Sequence, residues 1–152
     1  MNKSLTLYID GDAFPNRLKQ ILVRVIDRFS LKTIVISNKR IDLGQSLLIS
    51  YVIVSSGADE ADDRIVEMVQ DGDVVITGDI PLADRIIAKK AVSINHRGEL
   101  FDENNIKPCL ERRNLMQEMR DSGLVTKGPA PFSDRDAHGF ANQMNQFFTK
   151  QD

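Results

Sequence analysis

The chain has 152 residues, with 20 Lys and Arg against 22 Asp and Glu for a net charge of −2, and it carries one cysteine and two histidines. That length suits a single domain at about 100–200 residues per domain, and the near-balance of charge supplies no strong field for a nucleic acid or a membrane surface. The lone Cys109 excludes an internal disulfide or a cysteine-rich metal site, and His96 and His138 are too few for a multi-histidine centre.

No apolar run approaches the roughly 18 residues of a membrane span. Met1-Asn2-Lys3-Ser4 leads straight into a strand pattern with no signal-peptide region, so a cytoplasmic protein without a membrane partner is expected. The acids are lopsided, with 16 Asp against 6 Glu. Asp favours caps, turns and metal sites over helix interiors, so the excess should have a location.

Residues 4–9 are short, apolar and β-rich, and read as a strand ending at Asp10. Pro15 suits the first turn of a helix, in which Leu18, Ile21, Leu22, Val25, Ile26 and Phe29 form one apolar stripe. Residues 33–36 are a second strand. Residues 38–45 are a polar loop with Lys39 and Arg40, lacking a good crossover helix, and 51–54 are a third strand. A second helix should begin near Gly57-Ala58 and end before the Asp71-Gly72 turn signal. Residues 73–77 are a fourth strand, Pro81 opens a third helix to about residue 90, and 91–94 are a fifth strand.

Strands alternating with helices mean a parallel sheet covered on both faces, with right-handed crossovers. The expected fold is a three-layer α/β/α domain with a central five-stranded parallel sheet and C-terminal helices. Its core spans about 1–95 and its extension about 96–152, all one domain. In the extension, Lys107-Pro108 breaks the chain and 110–120 form a helix ending at Ser122-Gly123. Residues 128–131 form a rigid Gly-Pro-Ala-Pro loop. Ser133 caps a last helix with Asp136 in its first turn, and Phe140, Met144, Phe147 and Phe148 give that helix an apolar face.

Three acidic groups stand at strand ends or helix starts. In Tyr8-Ile9-Asp10-Gly11-Asp12-Ala13-Phe14-Pro15, two aspartates follow the first strand, where open α/β sheets place their sites. An Asp-Gly turn with a helix cap is the plain structural alternative. In Gly57-Ala58-Asp59-Glu60-Ala61-Asp62-Asp63, the positions 59, 62 and 63 share one helical face, whose repulsion a cation would relieve and the helix dipole would offset. In Thr77-Gly78-Asp79-Ile80-Pro81-Leu82-Ala83, an apolar strand again ends in Asp before a helix. A parallel sheet can converge all three groups on one edge. Carboxylates without His or Cys are hard oxygen ligands suited to Mg²⁺ or Mn²⁺, which align phosphates and make a bound water more nucleophilic.

These motifs, together with Asn95-His96-Arg97-Gly98-Glu99-Leu100, Asn105-Ile106 and Gly128-Pro129-Ala130-Pro131-Phe132, resemble the YaiI/YqxD family of bacterial proteins over nearly the whole chain. This chain carries Phe14 where that family usually has cysteine. The family is in turn similar to PIN and NYN nuclease domains, whose carboxylates bind Mg²⁺ or Mn²⁺ for RNA cleavage. The resemblance implies a sheet order of 3-2-1-4-5, which puts Asp10, Asp12 and Asp79 at the topological switch point.

The expected function is a divalent-metal-dependent phosphodiester hydrolase of RNase type, with RNA or another phosphate-containing molecule as substrate. Asp10, Asp12 and Asp79 are the candidate catalytic residues. Asp10, Asp12, Asp59, Asp79 and either Asp62 or Asp63 would hold one or two cations. Thr77, Asn38, Lys39 and Arg40 would contact phosphate through proximity to the crevice. One alternative is a phosphomonoesterase resembling haloacid-dehalogenase enzymes, with Asp10 as nucleophile in Asp10-Gly11-Asp12 and metal residues in Gly78-Asp79 and Asp84. Against it, Pro15 starts a helix at once, where those enzymes carry an insertion, and their lysine motif is missing. A non-catalytic protein binding a phosphate ligand or a protein partner is the other. His96 and His138 read as surface or hydrogen-bonded side chains, with His96 drawn nearer to the site by its place after the fifth strand. Cys109 reads as a half-buried small residue.

Overall fold

The first strand, β1 (Thr6–Asp10), lies at the centre of the sheet rather than at its edge. The structure is a computed structural model that describes residues 4–57, 59–124 and 130–151. After β1 come two 3₁₀ turns (Gly11–Ala13 and Asn16–Leu18), α1 (Lys19–Phe29), β2 (Lys32–Ser37), β3 (Ile49–Ile53) and α2 (Glu60–Met68). They are followed by β4 (Val74–Ile76), α3 (Ile80–Ile87), β5 (Val92–Ile94), β6 (Leu100–Phe101), α4 (Ile106–Asp121) and α5 (Asp134–Gln151).

The sheet runs β3-β2-β1-β4-β5-β6. The first five strands are parallel in the order expected, with Ile9 opposite Ile76 and Asp10 opposite Ile36. The sixth strand is an addition. It pairs antiparallel with β5 through a turn in which Asn95 Oδ1 accepts the N–H groups of Arg97 and Glu99. Two residues carry no readable periodicity, so β6 is invisible to a pattern search.

Side chains alternate across a strand, and the core divides accordingly. Leu7, Ile9, Val35, Val74, Ile76 and Ile94 pack with α1 and α5, including Leu22, Ile26, Phe140, Met144 and Phe148. Tyr8, Ile36 and Val75 pack on the other side with Ile65 and Val69 and with Leu82, Ala83 and Ile86 of α3. Each large apolar side chain so buried contributes about 1.5–3 kcal/mol. Three layers result, with helices on both faces. No helix among the described residues is long and apolar enough to cross a membrane.

Two local readings change. Helix α4 starts at Ile106, and Pro108 sits inside its first turn, where a missing N–H leaves no hydrogen bond unmade. Helix α2 starts at Glu60 rather than near 57, because Asp59 takes a left-handed φ of 65° and turns the chain into the helix from there. Residue 58 lies outside the described residues, as do 125–129, and with them the first half of the expected loop at 128–131. The start of α5 follows its sequence: Asp136 accepts the Ser133 N–H at 2.9 Å, a capping arrangement.

Candidate functional site

The alternation that buries Tyr8 beneath α2 turns Asp10 toward the same layer. Asp10 is 8% exposed, at the carboxyl end of β1. Beside it β4 ends, and Thr77 follows. The Thr77 hydroxyl donates to Asp10 Oδ2 at 2.8 Å, and its oxygen accepts the Asp79 N–H at 3.1 Å. Asp79 caps α3, its Oδ1 accepting the Leu82 N–H at 3.1 Å, with Pro81 in the first turn. A single hydroxyl therefore links the Asp10 carboxylate to the backbone of Asp79, at the point where the sheet order reverses.

Asp12 stands one 3₁₀ turn beyond β1. Both its oxygens accept the Asn38 N–H, at 2.8 and 3.0 Å, which ties the exit of β1 to the exit of β2. The glycine between the two aspartates suits this closeness. A Cβ on Gly11 would lie 2.9 Å from Ile41 Cδ1 and 3.1 Å from Ser37 Cβ.

The third group comes from α2. Asp62 is half-buried and faces the others. Burial first, then the charges of Asp79, Asp10 and Asp59, push its carboxyl up to about 6, against an opposing pull from Arg85. Asp10 is likewise raised, first by burial and then by Asp79 and Asp12, with the Thr77 hydrogen bond acting the other way. Asp63, the neighbour of Asp62, turns to the seam between α2 and α3 and pairs with Arg85 at 3.0 Å. The structure thus brings Asp10, Asp12, Asp59, Asp62 and Asp79 into one field and places Asp63 outside it. Of the candidate phosphate contacts, Thr77 lies at the centre and Asn38 contributes its backbone. Lys39 is exposed, its carbonyl accepting the Ser37 hydroxyl at 2.6 Å. Arg40 is exposed on the rim of a neighbouring groove.

The donor set is entirely oxygen, as Mg²⁺ or Mn²⁺ prefers. Asp10 Oδ1, Asp79 Oδ2 and both Asp62 oxygens accept no hydrogen bond among the described residues. The spacing is open, however. Among the described residues no three His, Cys, Asp or Glu side chains stand close enough to grip one ion. The chemistry of the donors fits a hard cation, while their spacing does not enclose one.

His96 belongs to this neighbourhood more closely than its sequence suggested. Its ring sits 3.3 Å from where a Cβ on Gly78 would stand and meets the Phe14 ring edge-on at 5.6 Å. The imidazole is held below its ordinary pKa by burial and then by Arg97, and its Nε2 is buried with no hydrogen-bond partner among the described residues. The place of His96 just after β5 was the available signal. His138 is exposed on α5, and Cys109 is half-buried on α4.

Residues 8–150 match the family described as "Uncharacterized BCR, YaiI/YqxD family". The chain is similar to the UPF0178 protein of Sulfurimonas denitrificans, 59% identical over 146 residues that cover 96% of this chain and 97% of that one. It is 58% identical to the UPF0178 protein of a Sulfurovum species, over 96% of this chain and 99% of the relative. The corresponding protein of a Nitratiruptor species is 51% identical over 96% of each chain. No solved structure matches the chain. With a fold whose parallel order brings the acidic motifs together and with matches along nearly its whole length, the chain belongs to the YaiI/YqxD family.

Proposed function

We propose that the protein is a divalent-metal-dependent phosphodiester hydrolase of RNase type, working in the crevice beyond the carboxyl ends of β1 and β4. One observation carries this reading. Asp10 and Asp79 meet at Thr77 with Asp62 facing them from α2, and burial first, then the charge of the neighbouring carboxylates, lifts Asp10 and Asp62 above the ordinary carboxylate range. Such crowding is what a cation relieves, and its place is the switch point where open α/β sheets bind ligands.

Asp10, Asp62 and Asp79 would hold Mg²⁺ or Mn²⁺, with Asp59 and Asp12 adding to the field. The bound cation would supply charge neutralisation for a phosphodiester and acidify water beside it. The chain's own residues do the rest. Thr77 fixes the rotamer of Asp10 and the backbone of Asp79. Asp12 holds the β2 exit in place through the Asn38 N–H, and Lys39 and Arg40, next along that loop, would be the cations available to a phosphate. Asp62 carries a proton below about pH 6, so proton and cation compete for the same carboxylate.

The test is calorimetric titration of Mn²⁺ into the wild type and Asp10→Asn, with cleavage of a labelled RNA followed in parallel. Saturable binding and cleavage in the wild type, both lost in Asp10→Asn, are expected. No Mn²⁺ heat in the wild type would end the reading.

A further inference from the structure

On the far side of Gly11 from the acidic crevice, residues 40–46 arch over the β3 edge in place of the crossover helix that the other strands use. Beneath the arch lies an open groove of about 640 Å³. That is within the roughly 300–1,000 Å³ of sites that hold small ligands. Its floor is apolar, from Ile49, Tyr51 and Ile53, the last 56% exposed. Its rim carries Arg40, Asp42 and Gln45.

Two features distinguish it from a bare apolar edge. The Tyr51 ring is pinned, its hydroxyl accepting the Leu43 N–H at 2.9 Å and donating to the Gly44 carbonyl at 3.2 Å, while the residue stays 39% exposed. A fixed, exposed aromatic is a stacking surface with little rotamer entropy left to lose. The second feature is the Arg40 guanidinium. Asp42 is engaged by the Gly44 N–H at 2.8 Å, whereas Arg40 has no ion-pair partner among the described residues.

Groove and crevice share a wall. Ile41 lines the groove and also approaches Gly11 between Asp10 and Asp12. Arg40 precedes Ile41 on the same loop, two residues after the Asn38 N–H that Asp12 holds.

We infer that this groove seats one nucleotide of a single-stranded nucleic acid, its base against Tyr51 and Ile53 and its flanking phosphate on Arg40. The inference rests on the hydrolase reading for the direction of the strand. It gives a chain of near-zero net charge a local means of holding a polyanion. Peptide addition to the open β3 edge is the competing use of this surface, and the experiment separates the two.

Fluorescence anisotropy of a labelled eight-nucleotide oligouridylate in CaCl₂, with the probe checked intact by gel, reads binding without turnover. Arg40→Ala is expected to weaken binding about tenfold and to flatten the salt dependence by roughly one phosphate contact. Tyr51→Leu is expected to cost about tenfold through lost stacking. Ile53→Glu, an exposed change that leaves the Tyr51 anchor intact, should weaken binding at least as much, and Lys150→Ala on α5 should bind as the wild type.

If Arg40→Ala and Ile53→Glu both bind within twofold of the wild type, the inference is wrong even if Mn²⁺ still binds. A wild type that takes Mn²⁺ but no oligonucleotide overturns it as well. So does a concentration-dependent self-association that Ile53→Glu abolishes while probe affinity is unchanged. Arg40-dependent binding of the probe by a protein that takes no Mn²⁺ supports the groove and removes the hydrolase reading instead.

Discussion

Asp10 and Asp73 are both buried aspartates on the same face of the central sheet, at opposite ends. Asp73, just before β4, accepts the Thr6 N–H at Oδ1 and the Gln70 N–H at Oδ2, both at 2.9 Å. It joins the start of β1 to the turn before β4, and its charge helps burial to raise the Tyr8 hydroxyl's pKa. Asp10 accepts one hydroxyl and otherwise faces other carboxylates. A buried carboxylate surrounded by backbone N–H groups holds a fold together, whereas one surrounded by its own kind is kept at a cost that a ligand can offset. Burial alone does not distinguish them; the partners do.

The sharpest way to break this contrast is to remove both side chains. Asp73→Ala leaves two backbone donors without an acceptor and is expected to cost about 3 kcal/mol, a melting temperature roughly 6–12 °C lower. Asp10→Asn at pH 7.5 should melt at or slightly above the wild type. Equal losses from both would mean that Asp10 is as structural as Asp73.

Metal binding should invert the order. Asp10→Asn should weaken Mn²⁺ at least tenfold, about 1.4 kcal/mol, by calorimetry. Asp73→Asn, which can still accept one of the two bonds, should stay within twofold. Matching affinities in the two variants would detach the acidic crevice from any cation.

A smaller effect concerns pH. The Asp62 carboxyl sits near 6 in the folded protein against an ordinary 3.8. The fold thus favours its neutral form, so its contribution is most favourable below about pH 4 and is lost as pH rises to about 6. Asp62→Asn should remove that loss. The variant should be more stable than the wild type above pH 6, by no more than about 1 kcal/mol given solvent screening, with the advantage fading toward pH 4. Melting temperatures of both proteins from pH 4 to 8 measure it. A difference that does not change with pH would show that Asp62 is not crowded.

Smallest of all, Lys39→Ala should shift stability by less than about 0.5 kcal/mol, since among the described residues only its backbone is engaged. A larger loss would reveal a contact for the side chain itself.

Much of the architecture could be read along the chain. The apolar runs, Pro15, Pro81 and the Gly-containing turns mark elements through local sterics and burial, which each segment carries with it. The parallel order brought Asp10 beside Thr77 and Asp79 as the strand-end motifs suggested. The acidic run of α2 was less legible. Its spacing put three aspartates on one face, but Asp59 stands before the helix in a left-handed turn, and Asp62 and Asp63 diverge. Adjacent residues on a helix point about 100° apart, so the docking angle of α2 on the sheet chooses between them. The place of His96 was hidden for a related reason: its neighbours include Phe14 and Gly78, each far away in sequence.

Residue order thus settled the strand and helix types, the α/β layering and the positions of the carboxylates along each element, because these follow from periodicity and backbone preference. The packing of α2 over β1 and β2 and against α3 decided which carboxylates share a field. The arch of residues 40–46 decided that a groove opens beside them. Both depend on contacts between segments far apart in the chain, which local preference does not encode.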